Sequence, residues 1–210
     1  MTKGRFITLE GGEGTGKTTN LAFVREFLEN RGKRMVMTRE PGGTPVGEKI
    51  RALFLGDGDL AGETELLLVF AARAQHLRDV ILPGMESGAW VVCDRFTDAS
   101  YAYQGGGRRL GFECIGILEE IVQRGCQPDL TLLFDAPVEI GMARAKNRGT
   151  IDRMEAETIA FHARVREAYL QLARRFPLRI KVIDASMPLA EVQSQIALHL
   201  TRLCGDDSGQ

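Results

Sequence analysis

The segment Gly11-Gly12-Glu13-Gly14-Thr15-Gly16-Lys17-Thr18 has residue types and spacing suited to phosphate chemistry. It matches the Gly-x4-Gly-Lys-Ser/Thr pattern of a phosphate-cradling loop, or P-loop. Glycines let backbone N–H groups turn inward around phosphate oxygens, and the helix that follows adds the positive end of its dipole. In such a loop Lys17 reaches the β- and γ-phosphates and the Thr18 hydroxyl takes a Mg²⁺ position. A plain glycine turn with a chance Lys-Thr would fit the composition, but not the setting between an apolar run and a helix.

Four further stretches could bear on chemistry. In "TREPGGTP", Arg39 and Glu40 fall at a strand's carboxyl end, although a tight turn alone would account for the glycines and prolines. In "LLLVFAARAQH", Phe70 and Arg73 share a helix face and could grip a planar base. By residue type alone they favour a buried ring beside a solvated cation, and His76 reads as structural.

In "WVVCDRFTDASYAYQGGGR", Asp94 is placed like a carboxylate that holds Mg²⁺, and Arg95 suits a bidentate grip on phosphate. Ser100, Tyr101, Tyr103 and Gln104 follow, and Gly105 to Gly107 read as a flexible connection to Arg108. In "ARAKNRGTIDRMEAE", Arg144, Lys146, Arg148 and Arg153 form either a solvated helix end or a lid whose arginines close over a transferring phosphoryl group.

These residues must be held by an α/β framework. Short apolar runs at Phe6 to Leu9, Met35 to Thr38, Trp90 to Cys93, Leu130 to Phe134 and Ile180 to Ile183 alternate with amphipathic stretches. That pattern predicts a parallel sheet covered by helices on both faces. Helices are expected over Lys17 to Asn30, Pro45 to Leu55, Glu65 to about Glu86 and Phe112 to Arg124. Others are expected over Val138 to Asn147, Glu155 to Arg175 and Leu189 to Leu203, and Pro83 should kink or break the third. One domain over residues 1–210 is expected, with a lid near 143–157 and a flexible tail over 205–210.

Composition narrows the partners. With 27 Lys+Arg against 28 Asp+Glu the net charge is -1, which argues against general binding to nucleic acid or a membrane surface. The four cysteines are scattered without metal-ligand spacing, which suits a reducing, cytoplasmic setting. No [NT]KxD base-reading motif is present, which argues against a regulatory GTPase.

Taken in order, "EGGEGTGKTT", "TREPGGT", "FAARAQH", "DRFTDASYAYQGGGR", "PDLTLLFD" and "RAKNRGTIDRME" resemble the thymidylate kinases of the bacterial kind. The resemblance spans nearly the whole chain. It implies a P-loop NTPase fold of nucleoside-monophosphate-kinase type with a five-stranded parallel sheet and a short lid, usually as a homodimer. It also implies transfer of a phosphoryl group from ATP, with Mg²⁺, to dTMP.

On that resemblance Gly11 to Thr18 would hold the ATP phosphates, with Thr18 and Asp94 at Mg²⁺. Arg95 would hold the dTMP phosphate, helped by Arg39, with Ser100 nearby. Phe70 would stack on thymine while Arg73 and Gln104 bond its edge. Tyr103 would lie against the deoxyribose, and Glu13 near the sugar or metal. Eukaryotic members carry an arginine where this chain has Gly14, so the catalytic cation is expected from the lid, at Arg148 or Arg153 in preference to Arg144. Alternatives are a P-loop kinase for another nucleoside monophosphate or deoxynucleoside, or a nucleotide-dependent switch.

Overall fold

The computed structural model describes residues 3–56, 58–146 and 153–205. Five strands, β1 (Phe6–Gly11), β2 (Met35–Arg39), β3 (Trp90–Asp94), β4 (Leu130–Asp135) and β5 (Ile180–Asp184), form one parallel sheet in the order β2-β3-β1-β4-β5. Each expected strand is present and runs one or two residues further at its carboxyl end. The central strands β1, β3 and β4 are buried almost throughout, as continuous apolar runs require when helices cover both faces.

On one face α1 (Lys17–Glu29) and α9 (Leu189–Gly205) pack Val24, Leu28, Val192 and Ile196 against Ile7, Leu9 and Leu132. On the other face lie α2 (Pro45–Leu55), α3 (Gly62–His76), α6 (Phe112–Gln123) and α8 (Ile159–Arg175), with Leu66, Phe70, Phe161 and Val165 in the core. The short α5 (Thr97–Ser100) and α7 (Val138–Lys146) follow β3 and β4. Strand β1 has β3 on one side and β4 on the other, so connections diverge from its carboxyl end and open a crevice there. The P-loop fills the head of that crevice.

Three local expectations change. The third helix starts at Gly62 and passes through a π-helical turn at Leu77–Ile81 before resuming as α4 (Leu82–Glu86). Pro83 has no N–H to donate, and the wide turn just before it absorbs the mismatch. Helix α8 starts at Ile159, not Glu155, because the Thr158 hydroxyl caps it by accepting from Phe161 N at 3.2 Å.

Gly105 to Gly107 are not a flexible connection. They belong to a π-helical segment, Tyr101–Gly107, pressed against α8. A Cβ on Gly106 would lie 2.7 Å from Ala168 Cβ, and one on Gly107 would lie 2.6 Å from the Phe161 ring. The glycines are there for close packing.

Candidate active site

The crevice is a cleft of about 460 Å³. Its P-loop wall is built by backbone geometry. Gly11, Gly14 and Gly16 have φ of 139°, 65° and 85°, values that favour glycine, and Gly16 leads directly into α1. Lys17 is 8% exposed and donates from Nζ to the carbonyls of Gly11 at 3.0 Å and Gly12 at 2.8 Å. Burial, with the nearby Arg95 charge, brings its ammonium down to about 8.

Arg95 leaves the end of β3 with φ 68°, a strained conformation for a residue with a Cβ. Its backbone N–H is tied to Leu9 O at 3.0 Å, and its guanidinium turns back to the P-loop. Nη1 donates to Gly11 O at 2.9 Å and to the Tyr169 hydroxyl at 3.2 Å, while Nη2 donates to Glu13 Oε1 at 2.7 Å. Tyr103 donates to the same Glu13 oxygen at 2.6 Å, and its ring lies 4.8 Å under the guanidinium. Burial alone would raise the Glu13 carboxyl, but the Arg95 and Lys17 charges hold it at about 2. Glu13 is thus the carboxylate that orients Arg95.

Behind this pair, Glu10 accepts from Phe96 N at 2.6 Å and from the Tyr169 hydroxyl at 2.7 Å. Complete burial pushes its carboxyl up to about 8. Asp94 lines the cleft with a buried Oδ1 that has no hydrogen-bond partner among the described residues.

Arg73, on α3, also lines the cleft and is 2% exposed. Nε donates to Glu40 Oε2 at 2.7 Å and Nη2 to Ser100 Oγ at 3.0 Å, and the guanidinium lies 4.5 Å from the Phe70 ring centre. Arg73, Ser100, Tyr103 and Gln104 line the cleft together with Glu13, Gly14, Gly16, Lys17, Thr18, Asp94 and Arg95.

Other expected residues stand elsewhere. Gly11, Gly12 and Thr15 line a small cavity behind the loop. Arg39 is half exposed, donates to Glu48 Oε2 at 2.9 Å and does not line the cleft. Phe70 is buried beneath Arg73 and is not part of the lining.

Arg153 also lies off the cleft. It donates to buried Glu65 Oε1 at 2.6 Å and to Phe54 O at 2.8 and 3.1 Å. Arg144 does line the cleft and donates to Ala185 O at 2.8 Å. Arg148 lies outside the described residues.

A family model described as thymidylate kinase matches residues 9–196. The chain belongs to the thymidylate kinase family. It is 58% identical over 203 residues to a thymidylate kinase of Methylococcus capsulatus, covering 97% of this chain and 98% of that one. It is 59% identical over 195 residues to one of Alkalilimnicola ehrlichii, covering 91% and 90%. The crystal structure of a thymidylate kinase from Ehrlichia chaffeensis superposes with a TM-score of 0.79 at 30% identity, over 95% of this chain and 99% of that one. This member of the thymidylate kinase family is an ATP-dependent nucleoside monophosphate kinase that phosphorylates dTMP.

Several residues of this kinase's cleft were not assigned to the site from sequence. Arg51, Phe54, Val69, Met154 and Glu155 all line it. Arg51, Phe54 and Val69 come from α2 and α3, and Met154 and Glu155 from the turn before α8, with no local pattern to mark them as lining. Glu40 was visible at a strand's carboxyl end, but its partners were not.

Proposed function

We propose that the cleft carries out in-line transfer, with ATP phosphates on the P-loop and the dTMP phosphate at Arg95. The supporting observation is the cleft's lining. Lys17, Arg95 and the unpartnered Asp94 oxygen share it with Arg73 and Gln104. The first set suits the anion of a nucleoside monophosphate and the second the edge of its planar base.

The acceptor is a phosphate oxygen that already carries negative charge, so no general base is required. What remains is positioning and neutralisation of charge in the transition state. Lys17 would exchange its two loop carbonyls for phosphate oxygens. Arg95, held in place by Glu13 and Gly11 O, would meet the acceptor phosphate without reorganising. Gln104 and Arg73 would hold the base, and Tyr103 would stand beside the sugar.

Among the described residues, Arg144 is the basic side chain from the lid segment that lines the cleft, so we assign it a share of the neutralisation alongside Arg148. Arg153, engaged with Glu65, would anchor the lid. Arg51, which lines the cleft, takes the auxiliary role first expected of Arg39.

The Asp94 oxygen and the Thr18 hydroxyl are hard oxygen donors suited to Mg²⁺ or its waters. No cluster of three or more acidic, His or Cys side chains able to hold a metal occurs among the described residues, so nucleotide phosphates would complete the shell. When bound, Mg²⁺ supplies charge neutralisation at the phosphates.

We also read the chain as a single-domain, cytoplasmic homodimer. No helix among the described residues is long and apolar enough to cross a membrane, and Cys93, Cys114, Cys126 and Cys204 are unbridged. Leu53, Leu67, Ile117 and Ile121, on α2, α3 and α6, are more than half exposed and supply an apolar face for a second copy.

The test is a coupled assay with ATP, Mg²⁺ and a nucleotide panel. Preferred release of ADP with dTMP is expected. Preference for dCMP, or ADP release independent of acceptor, would overturn the assignment.

A further inference from the structure

Arg73 is a guanidinium taken out of water, and four neighbours fix it. Glu40 takes Nε, Ser100 takes Nη2, and the rings of Phe70 and Phe96 lie 4.5 and 5.0 Å from its centre. Nη1 is buried and has no hydrogen-bond partner among the described residues. Arg73 lines the cleft, and Nη1 is the guanidinium nitrogen that the described residues leave without a partner.

The carboxylate that aims Arg73 is itself held. Glu40 is 4% exposed, and its second oxygen, Oε1, lies 2.9 Å from His76 Nδ1. A carboxylate only accepts, so Nδ1 carries the hydrogen. The other ring nitrogen, Nε2, lies 2.6 Å from Thr38 Oγ1 on β2. His76 is fully buried, one turn beyond Arg73 on α3.

The loop after Glu40 is shaped around this chain of bonds. Gly43 has φ 74°, and a Cβ there would lie 2.6 Å from both His76 Nε2 and Thr38 Oγ1. A side chain would occupy the space of the hydrogen bond. None of these residues except Glu40 lines the cleft.

We propose that Thr38, His76 and Glu40 form a positioning relay that fixes the direction of Arg73 Nη1 and so sets which pyrimidine edge the kinase accepts. The proposal rests on the reading that Arg73 meets the acceptor base. A guanidinium offers only N–H donors, so a fixed Nη1 favours a ring carbonyl, as in thymine or uracil. It opposes a ring amino group, as in cytosine, because two donors would face each other in a dry site. A guanidinium free to swing away loses affinity for the first and tolerates the second.

The test uses Thr38→Val, which keeps shape and removes the hydroxyl, and His76→Leu, which removes both nitrogens. His76→Asn places an amide N–H near the position of Nδ1, keeping the bond to Glu40 while losing the one to Thr38. Thr38→Val and His76→Leu are expected to raise KM for dTMP about tenfold, roughly the loss of one buried hydrogen bond. KM for ATP and kcat with dTMP should hold, the preference for dTMP over dCMP should fall about tenfold, and His76→Asn, which like Thr38→Val lacks only the Thr38 bond, should match Thr38→Val.

In an Arg73→Ala background His76→Leu should have no further effect on KM for dTMP. If Arg73→Ala alone leaves dTMP binding intact, the reading of Arg73 fails. If Arg73→Ala weakens dTMP binding but Thr38→Val and His76→Leu leave selectivity unchanged, the relay is overturned. A uniform loss of kcat and of both affinities with selectivity intact would also overturn it. Should His76→Leu fail to fold, Thr38→Val and His76→Asn carry the test.

Discussion

Gly14 of the P-loop and Gly141 of α7 approach so closely that neither position has room for a side chain. A Cβ on Gly14 would stand 1.9 Å from Gly141 O, and one on Gly141 would stand 2.4 Å from Glu13 O. The P-loop therefore rests directly on α7. An arginine at position 14 would have to displace that helix.

Gly141→Ala decides whether the contact matters. In an ordinary helix the change should stabilise by up to about 1 kcal/mol. Here overpacking against a fixed carbonyl should instead cost about 1–3 kcal/mol in urea unfolding and weaken ATP binding by moving Glu13. A variant more stable than the parent would contradict the reading.

The Lys17 ammonium should make ATP binding fall with alkali. Its pKa in the free protein is about 8, so it is charged below that pH and loses its charge above it. Affinity should be flat from pH 6 to 7.5 and then weaken by up to about tenfold per unit. Calorimetric titration with ATP across this range reads it, and a profile flat to pH 9.5 would exclude Lys17 as the phosphate's charge partner.

Lys17→Ala should slow the chemical step by about 10³-fold or more, the scale of a lost transition-state cation. Single-turnover transfer under saturating nucleotide isolates that step. Near-normal turnover would remove Lys17 from the mechanism.

Glu10 should make the protein less stable as the pH rises toward 8. Burial holds its carboxyl near 8, against an ordinary value of 4.5. Between those values the folded state keeps a proton that the unfolded chain has released. Stability is therefore fully present below about 4.5 and declines up to about 8. Glu10→Gln preserves the neutral shape, so from pH 5 to 8 it should gain on the parent by on the order of 3–5 kcal/mol. Parallel urea curves at both pH values would show the carboxyl is ionised in the fold.

Glu65 should be worth more than any other carboxylate around Arg153. It is fully buried and receives Arg153, Arg108 and Gln104. Glu65→Gln leaves two guanidinium groups short of charge and should cost about 3–5 kcal/mol. Chemical denaturation measures this, and a loss below 1 kcal/mol would mean that Arg153 is not tied down there.

The P-loop was legible because it is a contiguous backbone device. The same glycines that permit its φ values spell its pattern, and the apolar run before it fixes its place at a strand end. Asp94 and Arg95 were legible for a related reason, since a residue following a buried parallel strand must emerge at the rim. Arg39 obeyed the same rule yet turned out to Glu48, because its direction was set by a partner nine residues away that no strand pattern marks. Glycines 105 to 107 misled by composition, since flexibility and close packing use the same residue.

By itself the sequence determined the order of strands and helices, the phosphate cradle and the residues at the sheet's carboxyl rim, all of which follow from local pattern and alternation. Only the tertiary structure decided where the long cationic side chains end. Arg153 goes to Glu65, Arg95 to Glu13, and Arg73 to Glu40 backed by His76. A guanidinium has several ångströms of reach and must find a carboxylate or a carbonyl if it is buried. Which one it finds depends on distances between elements far apart in the chain.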